Sequence, residues 1–310
     1  MRVFNILRRW LFVLVCFGGS VVAMDFAKED SYGGVPVAKA VYADSANKKT
    51  EDFESILDNK RTELAELISK YPDASHVVFF GDTGAGKTTL ANLLKGEVVV
   101  AEEIDGDILL VAPGIHHGVG SGTKQICCYY SESDNTCYWD LPGLRDSNGW
   151  EKDTFNAILR KQLFDSLPAA KLVVVAKKAD ITGRATNFGA LLKYTVDVFP
   201  EDDLQLCSYL AVTQGKITNM QAFLNGILGK SESDIKLSDR SVNDLLTFIA
   251  NNTALRTSNF SEPSDIGEYG VDVTQEMLDN LKSVEPRKLV YKAILQSETC
   301  LLYTSDAADE

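Results

Sequence analysis

Apolar residues recur along this chain at two periods, and the alternation between them predicts the architecture. Between residues 51 and 70, Phe53, Ile56, Leu57, Leu64, Leu67 and Ile68 fall at helical spacing, so a helix leads into the first strand. His76-Val77-Val78-Phe79-Phe80 is short, apolar and β-branched or aromatic, the mark of a strand buried on both faces. Residues 89–94 read as a helix that ends near Gly96. Val98-Val99-Val100 and Ile108-Leu109-Leu110-Val111 flank Asp105-Gly106, a hairpin signal. Two further strands, 125–130 and 136–139, are separated by the polar turn Ser131-Glu132-Ser133-Asp134-Asn135. Strand runs return at 171–176 and 206–212, and helical spacing at 153–167, 187–199, 220–228 and 242–251. Strands alternating with helices predict an α/β three-layer sandwich, a mostly parallel sheet with helices on both faces. No internal repeat or coiled-coil heptad interrupts the pattern.

The junction between the first strand and the helix after it carries the chemistry. Gly81-Asp82-Thr83-Gly84-Ala85-Gly86-Lys87-Thr88 fits G-x-x-x-x-G-K-[ST], and it has the strand before it and the helix after it that this loop requires. Its glycines let the backbone curl until successive N–H groups point at phosphates, and the helix N-terminus adds its partial positive charge. Residues 81–89, from Gly81 to Thr89, are the predicted phosphate cradle. Lys87 would reach the β- and γ-phosphates and the Thr88 hydroxyl would ligate Mg²⁺. A chance glycine-rich turn is the bland alternative.

The two ends read differently from the middle. Arg2, Arg8 and Arg9 precede the apolar run 10–17, and the small residues Val21 and Ala23 precede Met24. Residues 1–23 therefore resemble a secretory signal, too short for a comfortable membrane span. An uncleaved anchor is the rival, and a third reading starts the protein at Met24. The first two readings predict export or membrane association, the third a cytoplasmic protein. Residues 24–50, with Gly33-Gly34 and Pro36, read as a linker, and 263–299 as a C-terminal segment, truncated at its end. Residues 300–310 read as the translation of a transposase-based sequencing adapter, with an acidic flexible tail as the alternative.

Charge and cysteine content narrow the partners. The net charge of −13 over 310 residues argues against non-specific nucleic-acid binding, and the 45% apolar fraction supports a packed core. Outside the two ends lie Cys127, Cys128, Cys137 and Cys207, whose spacing is no zinc signature. They read as core thiols, although a bond from Cys127 or Cys128 to Cys137 across the hairpin stays open in an oxidising compartment.

About fifty residues beyond the phosphate loop, Trp139-Asp140-Leu141-Pro142-Gly143 closes a strand. An acidic residue at a strand end beside the phosphate loop orders the Mg²⁺ shell, which makes Asp140 a metal candidate. Gly143 offers a backbone N–H to the γ-phosphate. The pairing of GDTGAGKTT with WDLPGLRDSNG resembles the phosphate-loop GTPases of the translation-factor-related class, and within it the septin and immune-associated (GIMAP-type) branch. The likeness spans residues 75–262 and implies a G domain, residues 51–262 with the leading helix included, that binds GTP or GDP with Mg²⁺. It also implies that Thr123 is the switch threonine that closes on Mg²⁺; an ordinary loop threonine is the alternative. Ras-like enzymes place a water-orienting glutamine after the D-x-x-G glycine, and here Leu144 stands in that place. Slow intrinsic turnover follows, with dimerisation across the nucleotide face one way to accelerate it. His116 and His117 are candidate groups supplied in trans, or solvated loop residues.

The base end departs from the family. Guanine is normally chosen by [NT]-K-x-D after the fifth strand, where Thr213-Gln214-Gly215-Lys216 now stands. Thr213 fits, Gln214 replaces lysine, and Lys216 reverses the charge of the base-reading aspartate. Lys177-Lys178-Ala179-Asp180 contains K-x-D one unit early, where a surface helix start is the simpler reading. Ser261 is the candidate for a final base contact. Three functions remain: a slow GTPase switch, a nucleotide-binding scaffold or NTPase without guanine choice, and a small-molecule kinase, which lacks its usual arginine-bearing lid. The protein target of such a switch is not written in these motifs.

Overall fold

The computed structural model describes residues 12–17, 20–25, 39–41, 47–115, 125–144, 150–183, 186–199, 209–228, 240–251 and 255–292. The chain divides into two compact units, Met1–Lys60 with Ser297–Glu310, and Arg61–Gln296. In the first, β1 (Phe12–Phe17), β2 (Ser20–Asp25) and β3 (Lys39–Val41) pair as an antiparallel sheet in that order. Helix α1 (Asn47–Ser69) begins in this unit and ends in the second. Among the described residues, no helix is long and apolar enough to cross a membrane.

The second unit is built on strand β4 (Ser75–Gly81), buried from His76 onward as its unbroken apolar run predicts. Helix α2 (Lys87–Lys95) follows, then the hairpin of β5 (Val100–Ile104) and β6 (Asp107–Val111). Strands β7 (Cys127–Ser131) and β8 (Thr136–Asp140) form the second hairpin, and α3 (Trp150–Ser166) crosses to β9 (Lys171–Lys177). The short α4 (Lys178–Thr182) and α5 (Thr186–Val198) precede β10 (Tyr209–Thr213). Helices α6 (Met220–Leu228) and α7 (Arg240–Asn251), strands β11 (Arg256–Phe260) and β12 (Gly267–Glu268), and α8 (Val271–Lys282) complete the unit.

Six strands form one sheet in the order β11-β10-β9-β4-β8-β7, parallel throughout except for β7 against β8. The period of two in β4 assigns its side chains to opposite layers. Val77 and Phe79 join Val173, Val175, Tyr209 and Ala211 in a core closed by Leu90 and Leu94 of α2 and by Met277 and Leu281 of α8. On the other face Phe80 stacks on Tyr194 of α5 with centroids 5.8 Å apart and meets the edge of Phe199 at 5.5 Å. Phe164 of α3 extends that layer, edge-on to Phe199 and stacked on Tyr291 at 5.1 Å. The fold is thus the expected α/β three-layer sandwich.

Two elements escape the apolar pattern. β11 reads Arg-Thr-Ser-Asn-Phe, too polar to announce a strand, yet it pairs in register with β10 and its buried Ser258 bonds the Tyr209 hydroxyl at 2.6 Å. Helix α8 lies in the segment read as following the G domain, and it closes one face of the core. Phe80→Ala removes the ring shared by α5 and Phe199 and is expected to lower stability by about 3–5 kcal/mol. Ile266→Ser, at a site 64% exposed, is expected to stay within about 0.5 kcal/mol of the parent. Urea unfolding of both variants reads the difference.

Candidate functional site

The chain order of the sheet creates a crevice at one place. Strands β8 and β9, which follow one another in sequence, lie on opposite sides of β4. Connections that leave β4 on opposite sides open a cleft beyond its carboxyl end, where ligands of open α/β sheets bind. A cleft of about 700 Å³ is found there, lined by the phosphate-loop residues Thr83, Gly84, Gly86, Lys87, Thr88 and Thr89. Gly143, Thr213, Gln214, Ser261 and Glu262 continue the wall, and the β5–β6 hairpin supplies Ile108, Leu109 and Leu110.

The loop adopts the curl its glycines predict. Gly84 and Gly86 stand at φ +70° and +88°, the left-handed region that side chains resist. Gly86 caps α2, so the helix begins at Lys87 with its amides facing the cleft. Lys87 is 5% exposed and its Nζ donates to the Gly81 carbonyl at 2.9 Å and the Asp82 carbonyl at 2.8 Å. Burial pulls its pKa from 10.5 down to about 8, although the Asp140 and Asp82 carboxylates oppose the fall. This ammonium is bent back on its own loop, held where an anion would meet it.

Thr88 and Asp140, distant in sequence, meet at this end of the cleft. The Thr88 hydroxyl donates to Asp140 Oδ2 at 2.6 Å, and Asp140 is 1% exposed at the end of β8. Among the described residues no cluster of three or more His, Cys, Asp or Glu side chains holds a metal by protein donors alone. Mg²⁺ suits such a site, because it takes few protein oxygens and completes its shell with water and phosphate. A hydroxyl and a carboxylate in contact at the mouth of a phosphate loop fit that ion. Thr123, the third expected ligand, lies outside the described residues, as do His116, His117 and Cys207.

The D-x-P-G segment is locked onto the phosphate loop. A side-chain carbon on Gly143 would stand 2.0 Å from Thr83 Oγ1 and 2.6 Å from Thr83 N, so only glycine fits. The Leu144 N–H donates to the Gly81 carbonyl at 3.3 Å, and Leu144 forms a parallel bridge with Asp82. The Leu144 side chain is 2% exposed, turned into the core and absent from the cleft wall. Its place therefore presents no side chain to the cleft.

The base end assembles from separate loops. Thr213 is buried, and its hydroxyl donates to the Ala85 carbonyl at 2.8 Å, so it braces the phosphate loop. Gln214, at φ +54°, donates from Nε2 to the Gly84 carbonyl at 3.3 Å. The Gly215 N–H donates to the Phe260 carbonyl at 3.1 Å, which brings the Gln214 loop beside Ser261 and Glu262. Asp180 accepts from Asn187 at 2.8 Å at the start of α4, engaged in joining α4 to α5. Lys216 is exposed and does not line the cleft.

Two residues at the site, Asn92 and Arg160, carried no sequence signal, and a third, Lys177, entered the sequence reading only as the start of the stretch 177–180. Lys177 brings its Nζ to 3.3 Å from where a Gly84 side chain would begin, adding a second cation to the phosphate loop. Asn92, fully buried, donates from Nδ2 to the Thr88 and Pro113 carbonyls, both at 2.9 Å, and so ties α2 to the chain entering residues 116–124. Arg160, 1% exposed on α3, donates to the Pro142 and Gly143 carbonyls, both at 3.3 Å. Among the described residues, Cys127, Cys128 and Cys137 are not joined by a disulfide bond.

No protein-family model matches this chain, and no curated protein matches it. Among solved structures it is similar to Toc33 from Arabidopsis thaliana, crystallised as a dimerization-deficient mutant. The two share 15% identity over 76% of this chain and 96% of that one, with a TM-score of 0.39.

Because the native state disfavours the charged Lys87, the unfolded chain binds more protons between about pH 8 and 10.5, and stability rises across that window. The fall from 10.5 to about 8 corresponds to roughly 3 kcal/mol. Lys87→Met is expected to abolish this part of the rise. Urea titrations of parent and variant at pH 7.5 and 10 measure it.

Proposed function

We propose that this chain is a GTP-binding G-domain protein, a slow GTPase switch of the septin- and GIMAP-like kind that works with Mg²⁺. The observation that supports it is the convergence at the α2 N-terminus of Lys87, the Thr88–Asp140 pair and the Gly143 backbone. A triphosphate in this cleft would lie along the amides of residues 83–88, with Lys87 and Lys177 offsetting its charge. Bound Mg²⁺ would be held by Thr88, Asp140 and Thr123, and would supply charge neutralisation at the β- and γ-phosphate oxygens. Water attacks the γ-phosphorus, the bond to the β–γ bridging oxygen breaks, and GDP and phosphate leave. The chain's own part is to orient the phosphates and to aim backbone donors at the γ-phosphate.

Leu144 explains why turnover would be slow. Its buried side chain neither orients nor deprotonates the water, so a second copy across the nucleotide face is the proposed source of a missing group. The GTP-bound state would order the Thr123 and Gly143 segments and hydrolysis would release them. That reading expects the hydrolysis rate per molecule to rise with protein concentration; a flat rate leaves the monomer as the working form. Asp140→Asn is expected to lower Mg²⁺-dependent turnover at least about 100-fold, as measured by phosphate release.

The second reading, a nucleotide-binding protein without guanine choice, is favoured by Lys216 in place of the base-reading aspartate. Glu262 offers a substitute, since it is a carboxylate beside Gln214 and Ser261 at the far end of the cleft. A carboxylate there accepts from N1–H and N2–H of guanine, donors that adenine lacks. Competition of labelled GTP by GTP or ATP, in the 310-residue chain with Mg²⁺, decides. GTP alone competing supports the switch, and Glu262→Gln is then expected to reduce the preference about tenfold or more. Equal competition reduces the function to an NTPase, and binding that survives Lys87→Ala removes the phosphate-loop assignment.

A further inference from the structure

Arg160 is a charged side chain where the fold has least use for one. It sits on α3 at 1% exposure, and its direct hydrogen bonds go to neutral oxygens. Nη2 donates to the Pro142 and Gly143 carbonyls, both at 3.3 Å, and Nη1 to the Tyr194 hydroxyl at 3.2 Å. Nε has no partner among the described residues. Desolvating a guanidinium is expensive, and the Tyr291 and Tyr194 hydroxyls and the charge of Asp153 offset that cost. What stability alone does not call for is the direction of its hydrogen bonds, two of which go to successive carbonyls at the cleft.

The geometry of the peptide group supplies it. No peptide bond in the described residues is cis, so each C=O points opposite to the N–H of the next residue. When Arg160 draws the Gly143 carbonyl toward α3, the Leu144 N–H must face away from α3, and it does: it donates to Gly81 of the phosphate loop at 3.3 Å. The Pro142 carbonyl is drawn the same way, so the Gly143 N–H faces the phosphate-loop side too. That N–H makes no backbone hydrogen bond among the described residues, and Gly143 lines the cleft. One guanidinium thus fixes two successive peptide planes and leaves a donor aimed into the phosphate end of the cleft.

The same guanidinium is reached from the other side. Tyr194 of α5 passes its hydroxyl to the Tyr291 hydroxyl at 3.0 Å, and Tyr291 is 1% exposed in the stretch beyond α8, stacked on Phe164. The D-x-P-G segment, α3, α5 and the chain after α8 therefore meet in one buried polar relay.

We propose that Arg160 is a positioning residue that sets the Gly143 amide for the terminal phosphate, and that Tyr194 and Tyr291 couple this setting to the segment following α8. The proposal rests on the nucleotide-binding reading above. A group that aims a donor at the γ-phosphate distinguishes GTP from GDP, whereas a residue that only holds the fold does not.

The test is the ratio of affinities for a non-hydrolysable GTP analogue and for GDP, each with Mg²⁺, in the 310-residue chain. Arg160→Lys is expected to weaken the analogue about tenfold while changing GDP less than about twofold, the size of one lost charge-assisted hydrogen bond. Tyr291→Phe keeps the ring stacked on Phe164 and removes only the hydroxyl, so it tests the relay without risk to folding; about a threefold loss for the analogue is expected, with GDP unchanged. Equal losses for both nucleotides, or an unchanged ratio in both variants, overturn the proposal. Failure of the parent chain to bind GDP overturns the nucleotide reading, and the proposal with it, in a way the ratio does not.

Discussion

One buried cation organises the centre of this molecule. Lys87 stands at the turn from β4 to α2, where the chain has just left a strand buried from His76 onward. Its ammonium is withdrawn from water and compensated by two carbonyls of its own loop, with Asp140 across the cleft and Asp82 within the loop contributing favourable charge. The arrangement works only while the loop keeps its curl. That curl depends on glycines at positive φ, and on Thr213 bracing Ala85 from the end of β10, two strands away. A polyanion such as the proposed triphosphate would relieve the desolvated charge on entering the cleft.

The sheet's chain order turns that loop into a site. Because β8 and β9 flank β4, the segments leaving their ends converge on the phosphate loop from both sides. From one side come Asp140 and Gly143, pressed so tightly on Thr83 that a methyl group has no room. From the other come Lys177 and, one strand further, Gln214. The loop after β11 closes the far end with Ser261 and Glu262. Each layer of the sandwich has a share in this. Helix α2 presents its amides, α8 covers the sheet behind it, and α3 reaches through the opposite face with Arg160.

Two buried side chains bear most directly on the proposed hydrolysis. Leu144 occupies the position of a water-orienting group and is committed to the core instead. Arg160 is committed to carbonyls, so it acts on the cleft through the backbone rather than through its own charge in contact with a ligand. On the proposed nucleotide reading, both features place the terminal-phosphate end under conformational control more than under direct chemical attack.

The phosphate loop and the layering were legible in the sequence because their causes are local. Glycine spacing sets the loop's φ angles, and the runs 76–80 and 171–176 are too apolar to sit anywhere except the middle of a covered sheet. Asp140 was legible through its D-x-P-G setting, though its contact with Thr88 spans 52 residues. What the tertiary structure decided is pairing between segments that carry no mark of one another. Arg160 sits on a helix beside Lys161 and Asp165, and only the packing of α3 on the sheet turns it inward to Pro142 and Gly143. The polar stretch 256–260 becomes a strand because β10 offers it an edge, and so delivers Ser261 and Glu262 to the cleft. A sequence fixes the conformations that each residue can adopt; which carbonyl a buried guanidinium finds depends on the whole sandwich having closed.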